Sequence, residues 1–423
     1  MADSPGYLEL LRANRDFRYL FSARTVSLAG DWLSMLAVIA MLREVHGTDA
    51  AALSGFFILK LLPIFLIGPF AGVVADRFSR RGIMVLSDVV RVLFVLLLLA
   101  TPFVEHPIPF VYGLVLLQVL ASAFFEPARS AALPQLVPAS GLATANALGA
   151  LMWSTMFALG AAIGGAITEF AGWRVALIVD AATYLVSALL ILRIRLPARE
   201  RPPREPGWRN WTGWQDFSDG IRFVLGRLDV ATALFVKLGW GLAGAVTLFL
   251  TLFGERVYSI AGRPDLSVSL LFTARAIGTG VGPWFARKFL PSETPRAMRR
   301  LLTGSFVWAA LWYIAFSWAP SIGVALACVT LAHLGGSVLW VYSTVLIQRM
   351  VPDRLLGRVS SADLGFATLS ISFSTWIFGW LIAAEVADLR VLVRTMGGAI
   401  LIPGLIWYLC ARRWPVGKNV ERS

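Results

Sequence analysis

The chain is predicted to be an all-α polytopic membrane protein, with twelve transmembrane helices in two pseudo-symmetric six-helix bundles. Three observations predict this. Of its 423 residues, 57% are hydrophobic and 15% charged. Soluble domains carry about 25% charged residues, so a soluble chain of this make-up has more apolar side chains than a core can hide. Apolar runs of roughly 20 residues, the length that crosses a bilayer as a helix, recur about twelve times. The turns between them alternate between basic and base-poor, as they do when the basic turns stay in the cytoplasm.

Taken in order, the spans fall near residues 20–42, 51–75, 82–104, 109–127, 144–170 and 173–194, then 230–253, 266–289, 301–318, 322–347, 361–384 and 391–411. The domains are a cytoplasmic segment 1–19, a bundle 20–194, a linker 195–229, a second bundle 230–411 and a tail 412–423. In the linker Trp211, Trp214, Phe217, Ile221, Phe223 and Val224 recur at near-helical spacing, as in a helix lying along the membrane surface.

The basic turns hold Arg12, Arg15 and Arg18, then Arg77, Arg80 and Arg81, then Arg129, Arg195, Arg199, Arg287, Lys288, Arg354 and Arg412. The alternate turns carry Glu44, Asp49, Glu105, Glu169, Glu255, Asp265 and Asp388. This places both termini in the cytoplasm and the chain in the plasma (inner) membrane.

The halves echo each other. Gln135-Leu-Val137-Pro138 recurs as Met350-Val351-Pro352, and the offset of 214 residues also carries Gly68-Pro69 onto Gly282-Pro283. Parallel halves of this kind place a substrate site near the midplane between them.

Several classes are excluded. The net charge of +13 is spread over the turns and forms no nucleic-acid motif. Cys328 and Cys410 lie inside apolar runs, which argues against disulfides and against a metal site. The first apolar run is too long for a signal-peptide core and follows a basic start. No H-E-x-x-H, G-x-S-x-G or G-x-x-x-x-G-K pattern occurs, so a membrane enzyme and direct ATP coupling are disfavoured. No cofactor is implied.

Ionisable residues inside a span cost roughly 2.5 to 3.5 kcal/mol each on insertion scales, so each calls for a reason. Asp31 and Lys60 lie at similar depth near mid-bilayer. Two readings stay open: a neutral pair, or a carboxylate that takes up and releases a proton as the ammonium moves. Arg24, Lys237 and Arg275 are the other cations at membrane depth. Arg24 and Lys237 are placed to snorkel to the interface, whereas Lys60 and Arg275 are deeper. The excess of buried cations favours a ligand with an anionic group. Asp88 and Arg91, spaced i, i+3, are expected to pair on one helix face. Asp180 is expected to bond hydroxyls or water. His333 reads either as hydrogen-bonded packing or as a proton carrier. Trp32, Phe56, Phe57, Trp153, Phe157, Trp240, Trp340 and Tyr342 are candidate cavity aromatics.

The first basic turn is Gly72-Val-Val-Ala-Asp76-Arg77-Phe-Ser-Arg80-Arg81, in which Gly72 leaves room for another backbone. It resembles the loop 2–3 signature of the major facilitator superfamily, with Ser79 in place of the usual Gly. Asp88-Val-Val-Arg91 and Phe125-Glu126-Pro127-Ala128-Arg129 are similar to segments of macrolide-efflux-like members. Gly160-Ala-Ala-Ile-Gly164-Gly165 looks like the antiporter motif, with Ala161 in place of its Pro; the small-residue packing is kept. The resemblance implies an exporter of the drug or siderophore branch. It further implies a charge cluster, with Asp76, Arg77 and Glu126 latching one half to the other beside Arg81 and Arg129. The reading that follows is a monomeric secondary transporter, without nucleic-acid partners. It would move a small amphipathic compound outward in exchange for protons, amid membrane lipids. The alternative is a lysophospholipid or other anionic-lipid transporter; a solute importer comes after both.

Overall fold

A computed structural model describes residues 6–47, 49–196, 214–289 and 295–412, with only the backbone at positions 69, 76, 139, 143, 214–217, 219, 289, 295, 296, 353 and 354. A short helix α1 (Tyr7–Ala13) leads into α2 (Arg15–His46), α3 (Ala50–Arg77), α4 (Arg80–Leu97), α5 (Pro107–Leu136), α6 (Leu142–Ala171) and α7 (Trp173–Ile191). After the linker come α8 (Trp214–Leu225), α9 (Leu228–Trp240), α10 (Val246–Arg256) and α11 (Pro264–Phe289). The chain continues through α12 (Pro295–Trp318), α13 (Ile322–Met350), α14 (Asp353–Ala383), α15 (Leu389–Ala399) and α16 (Leu401–Arg412). Helix starts are set by side chains that accept the first free N–H groups: Asn14 from Phe17 (2.9 Å), Asp49 from Ala51 (2.8 Å) and Asp388 from Val391 (2.9 Å). Between α6 and α7 the chain reverses in one residue, Gly172, at φ 84°, a conformation that side chains disfavour.

Eleven segments of the described residues are long and apolar enough to cross a membrane, against the twelve expected. The missing one is α11, which carries Asp265, Arg275, Arg287 and Lys288. At 26 residues it still runs about 39 Å, beyond a hydrocarbon core of about 30 Å. It is flanked by α6, α10 and α13, so protein covers Asp265 and Arg275 in part, while Arg287 and Lys288 are exposed at its C-terminal end. Lipid-facing residues such as Leu86, Leu93, Leu185, Trp376 and Trp380 are exposed, as an apolar solvent requires.

Helices α2 to α7 form one bundle, with α2 against α6 and α7, and α5 against α3 and α4. The second bundle centres on α13, which touches α9, α11 and α12. The bundles meet along two seams, α6 with α11 and α3 with α14. Under the 214-residue offset α3 corresponds to α11 and α6 to α14, so the seams exchange under the internal symmetry. They are tight because small residues face each other. A Cβ on Gly165 would stand 2.0 Å from the Ser269 Cβ, and one on Gly379 would stand 2.5 Å from the Ser54 Cβ. The Ser269 hydroxyl donates to the Ala161 carbonyl across the first seam (2.9 Å). Gly160 and Gly164 serve packing inside their own bundle, against Trp32 and Leu33 of α2. Gly165→Ala is therefore expected to lower stability by about 1–3 kcal/mol through overpacking. Thermal unfolding in detergent checks this, with Gly113→Ala, at a site with nothing within 4 Å, as the control of no loss.

Four details depart from the sequence reading. Expected span 230–253 is broken into α9 and α10 by a 3-10 turn at Gly241–Ala243. Gly241 and Gly244 let α14 come within contact there, and Ser370 and Ser374 donate to the freed carbonyls of Leu238 (2.7 Å) and Leu242 (2.6 Å). The last span divides into α15 and α16 just before Pro403, which has no N–H to continue the ladder. The expected stop at Pro127 does not occur; α5 runs through it to Leu136. The linker helix α8 docks on α14 and α3, with Gly220 against the Arg358 backbone, so it is held by protein as well as by any lipid surface. Trp211 lies outside the described residues.

Candidate functional site

The charges of the first bundle form one connected network. Arg24, two helical turns before Asp31 on the same face of α2, reaches Asp31 at 3.2 Å and Glu126 of α5 at 2.7 Å. Glu126 also accepts from Arg129 (2.9 Å). On the other side of Asp31 lies Arg91 of α4 at 3.7 Å, which donates to Asp88. The Tyr184 hydroxyl of α7 donates to Asp31, and Ser187 donates to Asp88 (2.6 Å). The Arg91 guanidinium lies 4.2 Å from the Tyr184 ring centroid and 5.1 Å from that of Phe125. Three cations thus meet three carboxylates, a formally neutral cluster in a low-dielectric setting.

Part of this network is one wall of a cavity of about 430 Å³ between α2, α5 and α6, on the half of the molecule that carries the basic turns; Asp31, Lys60 and Arg275 do not line it. Arg24, Glu126 and Arg129 line it with Phe21, Asn146 and Trp153; Gly149 and Ala150 make the room. Glu126 is 40% and Trp153 41% exposed, so both present themselves to a ligand. Behind Trp153, Trp32 stacks on Phe157 with centroids 3.8 Å apart. Arg275 of the second bundle lies 5.6 Å from the Phe157 ring and donates to Thr247 (2.7 Å).

The opposite end of the molecule is closed by ion pairs between the bundles. Arg43 at the end of α2 reaches Glu255 of α10 at 3.3 Å and Asp265 of α11 at 2.6 Å. Arg263 lies 3.9 Å from Glu169 and over the Phe170 ring.

Several expectations change. Asp31 is partnered by Arg24, Arg91 and Tyr184 and not by Lys60, which has no carboxylate within 4 Å among the described residues. Arg24 does not snorkel: it is 14% exposed and doubly paired. Nor does Lys237, which is buried and pairs with Asp363 of α14 over the Trp340 ring. The cation excess shrinks accordingly, to Lys60 and Arg275. His333 does not join the cavity wall. It is buried in the second bundle, 2.7 Å from the Tyr313 hydroxyl and edge-on to Trp240. Asp180 accepts from Thr183 (3.5 Å).

Glu126 has both its ion-pair partners, Arg24 and Arg129, inside its own bundle. Arg81 donates to the Leu192 carbonyl, also within that bundle. Gly72 has nothing within 4 Å of where a Cβ would stand, so no backbone approaches it here. Arg77 closes α3, and the Asp76 side chain lies outside the described residues.

Asp363, Arg43 and Tyr184 were missed. Asp363 reads as a span end because the apolar run starts at 361; the helix starts at Asp353, which puts Asp363 about ten residues deep. The i, i+7 spacing of Arg24 and Asp31 was a usable signal, since seven residues bring a helix back to nearly the same face.

The comparisons with known proteins agree with this architecture. The Major Facilitator Superfamily model matches residues 20–375. The chain is 23% identical over 424 residues to the "Uncharacterized MFS-type transporter YkuC" of Bacillus subtilis (strain 168), covering 97% of this chain and 96% of that protein. It is 25% identical over 379 residues to the "Putative bacilysin exporter BacE" of the same organism, covering 89% and 91%. Among solved structures, the nucleoside transporter NupG superposes with a TM-score of 0.72 at 12% identity, covering 95% of this chain and 99% of that one. An inward-facing, unoccupied bacterial homolog of the human lysosomal transporter Spinster gives 0.69 at 16%, covering 95% and 99%. At these identities the structures speak for the fold alone. With a family match over most of its length and the same two-bundle fold, the chain belongs to the major facilitator superfamily and is a membrane transporter of that type.

Proposed function

We propose that this transporter exports a small amphipathic compound in exchange for protons, by alternating access of its two bundles. The observation that carries the reading is the asymmetry of the charges. One end is bridged between bundles by Arg43 with Glu255 and Asp265, while the other half holds a charged cavity. Rocking that breaks the Arg43 pairs and closes the cavity would carry a ligand across. The basic turns favour a cytoplasmic face of the inner membrane for the cavity end, and the similarity to the BacE exporter supports the outward direction. Asp31, linked through Arg24 to the cavity wall, is the residue we assign to proton exchange.

The test is substrate accumulation in inside-out vesicles with an imposed pH gradient. Acid-lumen vesicles are expected to accumulate substrate, and Asp31→Asn is expected to reduce the gradient-driven part by about tenfold or more while binding persists. Unchanged proton dependence in Asp31→Asn removes this residue from the mechanism; equilibration without accumulation rejects coupled export. A second reading, transport of a lysophospholipid or other anionic lipid, is favoured by Lys60 and Arg275, which have no carboxylate within 4 Å among the described residues. Lipid moving in the same vesicles, with soluble compounds excluded, would select it.

A further inference from the structure

The wall formed by Arg24, Glu126 and Arg129 sets a condition on what the cavity accepts. Glu126 takes two guanidinium partners at 2.7 and 2.9 Å, and one of them, Arg24, is shared with Asp31. With their formal charges, these two cations and two carboxylates are neutral as a group. A simple cation entering here would take Glu126 and strand guanidinium charge. A simple anion would take Arg129 and leave Glu126 with Arg24 alone, which Asp31 shares. Either adds a net charge to a group that is neutral without it, at a site only partly open to water. A ligand bearing both charges exchanges partners without changing the total: its ammonium replaces a guanidinium on Glu126, and its carboxylate takes the guanidinium released.

The rest of the cavity agrees. Trp153 offers a partly exposed indole, Asn146 a neutral hydrogen-bonding group, and Gly149 and Ala150 the space. A volume of about 430 Å³ suits a compound from amino-acid to dipeptide size.

Resting on the transporter reading above, we infer that the Arg24–Glu126–Arg129 wall binds a small zwitterion, a compound with one ammonium and one carboxylate on an apolar body that packs on Trp153. Occupation reaches Asp31 through one side chain, because Arg24 holds Asp31 and Glu126 at once.

The experiment is equilibrium binding of labelled L-alanyl-L-phenylalanine to the purified full-length protein in lipid nanodiscs. Its N-acetyl derivative, without the ammonium, and its C-terminal amide, without the carboxylate, serve as competitors. The dipeptide is expected to bind, with each blocked form weaker by about tenfold or more, the value of one charged hydrogen bond. Glu126→Gln is expected to abolish the preference over the N-acetyl form and keep the preference over the amide; Arg129→Gln is expected to do the reverse. Blocked forms that compete as well as the dipeptide would overturn the inference. So would binding of tetraphenylphosphonium or dodecyl phosphate where the dipeptide fails, or no binding at all. The comparison of blocked and free forms needs no variant, so a misfolded mutant does not decide it. Because the assay reads binding, a dipeptide that binds but is not accumulated by vesicles counts against coupled export and leaves the inference standing.

Discussion

Asp363→Ala is expected to be the most damaging single substitution in the molecule, lowering stability by about 3–5 kcal/mol. Asp363 of α14 and Lys237 of α9 pair at 5% and 6% side-chain exposure, deep in the second bundle. Removing the carboxylate leaves an ammonium with the Trp340 ring at 4.9 Å as its remaining cationic contact. The attraction within such a pair largely offsets the cost of burying it, so the pair adds little net stability, while half a pair is a net liability. The double variant Lys237→Met/Asp363→Leu is accordingly expected to regain most of the loss. Thermal and denaturant unfolding of the three variants in detergent measures both. A single variant within about 1 kcal/mol of the parent would mean that water reaches Lys237.

Arg43→Ala is expected to change conformation more than stability. Arg43 is the cation that α2 offers to Glu255 and Asp265 of the other bundle, and Glu255 is 1% exposed. Without Arg43, two carboxylates of one bundle are left facing each other at a closed end, and opening that end hydrates them. The state open there should gain a population factor of about 100, the equivalent of roughly 3 kcal/mol from a buried pair. Spin labels at positions 46 and 259, both exposed and flanking the closure, would report a longer distance. Adding Glu255→Gln should restore part of the closed population. An unchanged distance distribution in Arg43→Ala would show that the seams alone keep this end shut.

The sequence disclosed depth far better than direction. Counting from the ends of apolar runs placed Asp31 and Lys60 at similar height, because rise per residue is fixed. It did not say which way each side chain points around its helix, and Asp31 turns toward Arg24, Arg91 and Tyr184 instead. The pairing of Asp88 with Arg91 was readable because both sit on one helix, where spacing alone sets the angle. The pairs of Lys237 with Asp363 and Arg43 with Glu255 span more than a hundred residues, and only the packing of helices, within the second bundle for one pair and between bundles for the other, brings them together. Glycines carried more information: Gly160, Gly164 and Gly165 sit where helices touch, since a missing side chain has few other uses inside a span. Not every glycine does so: Gly68, Gly72 and Gly113 are open in this conformation.

The interruption between α9 and α10 has a mechanical consequence. Two short rods replace one long one, joined by a knuckle whose loose carbonyls are gripped by Ser370 and Ser374. The lower rod is pinned to α14 by Lys237, and the tip of the upper rod carries Glu255. When Arg43 lets go, the upper rod can tilt about the knuckle while the lower one stays anchored, so the mouth can widen with little rearrangement of the body beneath it.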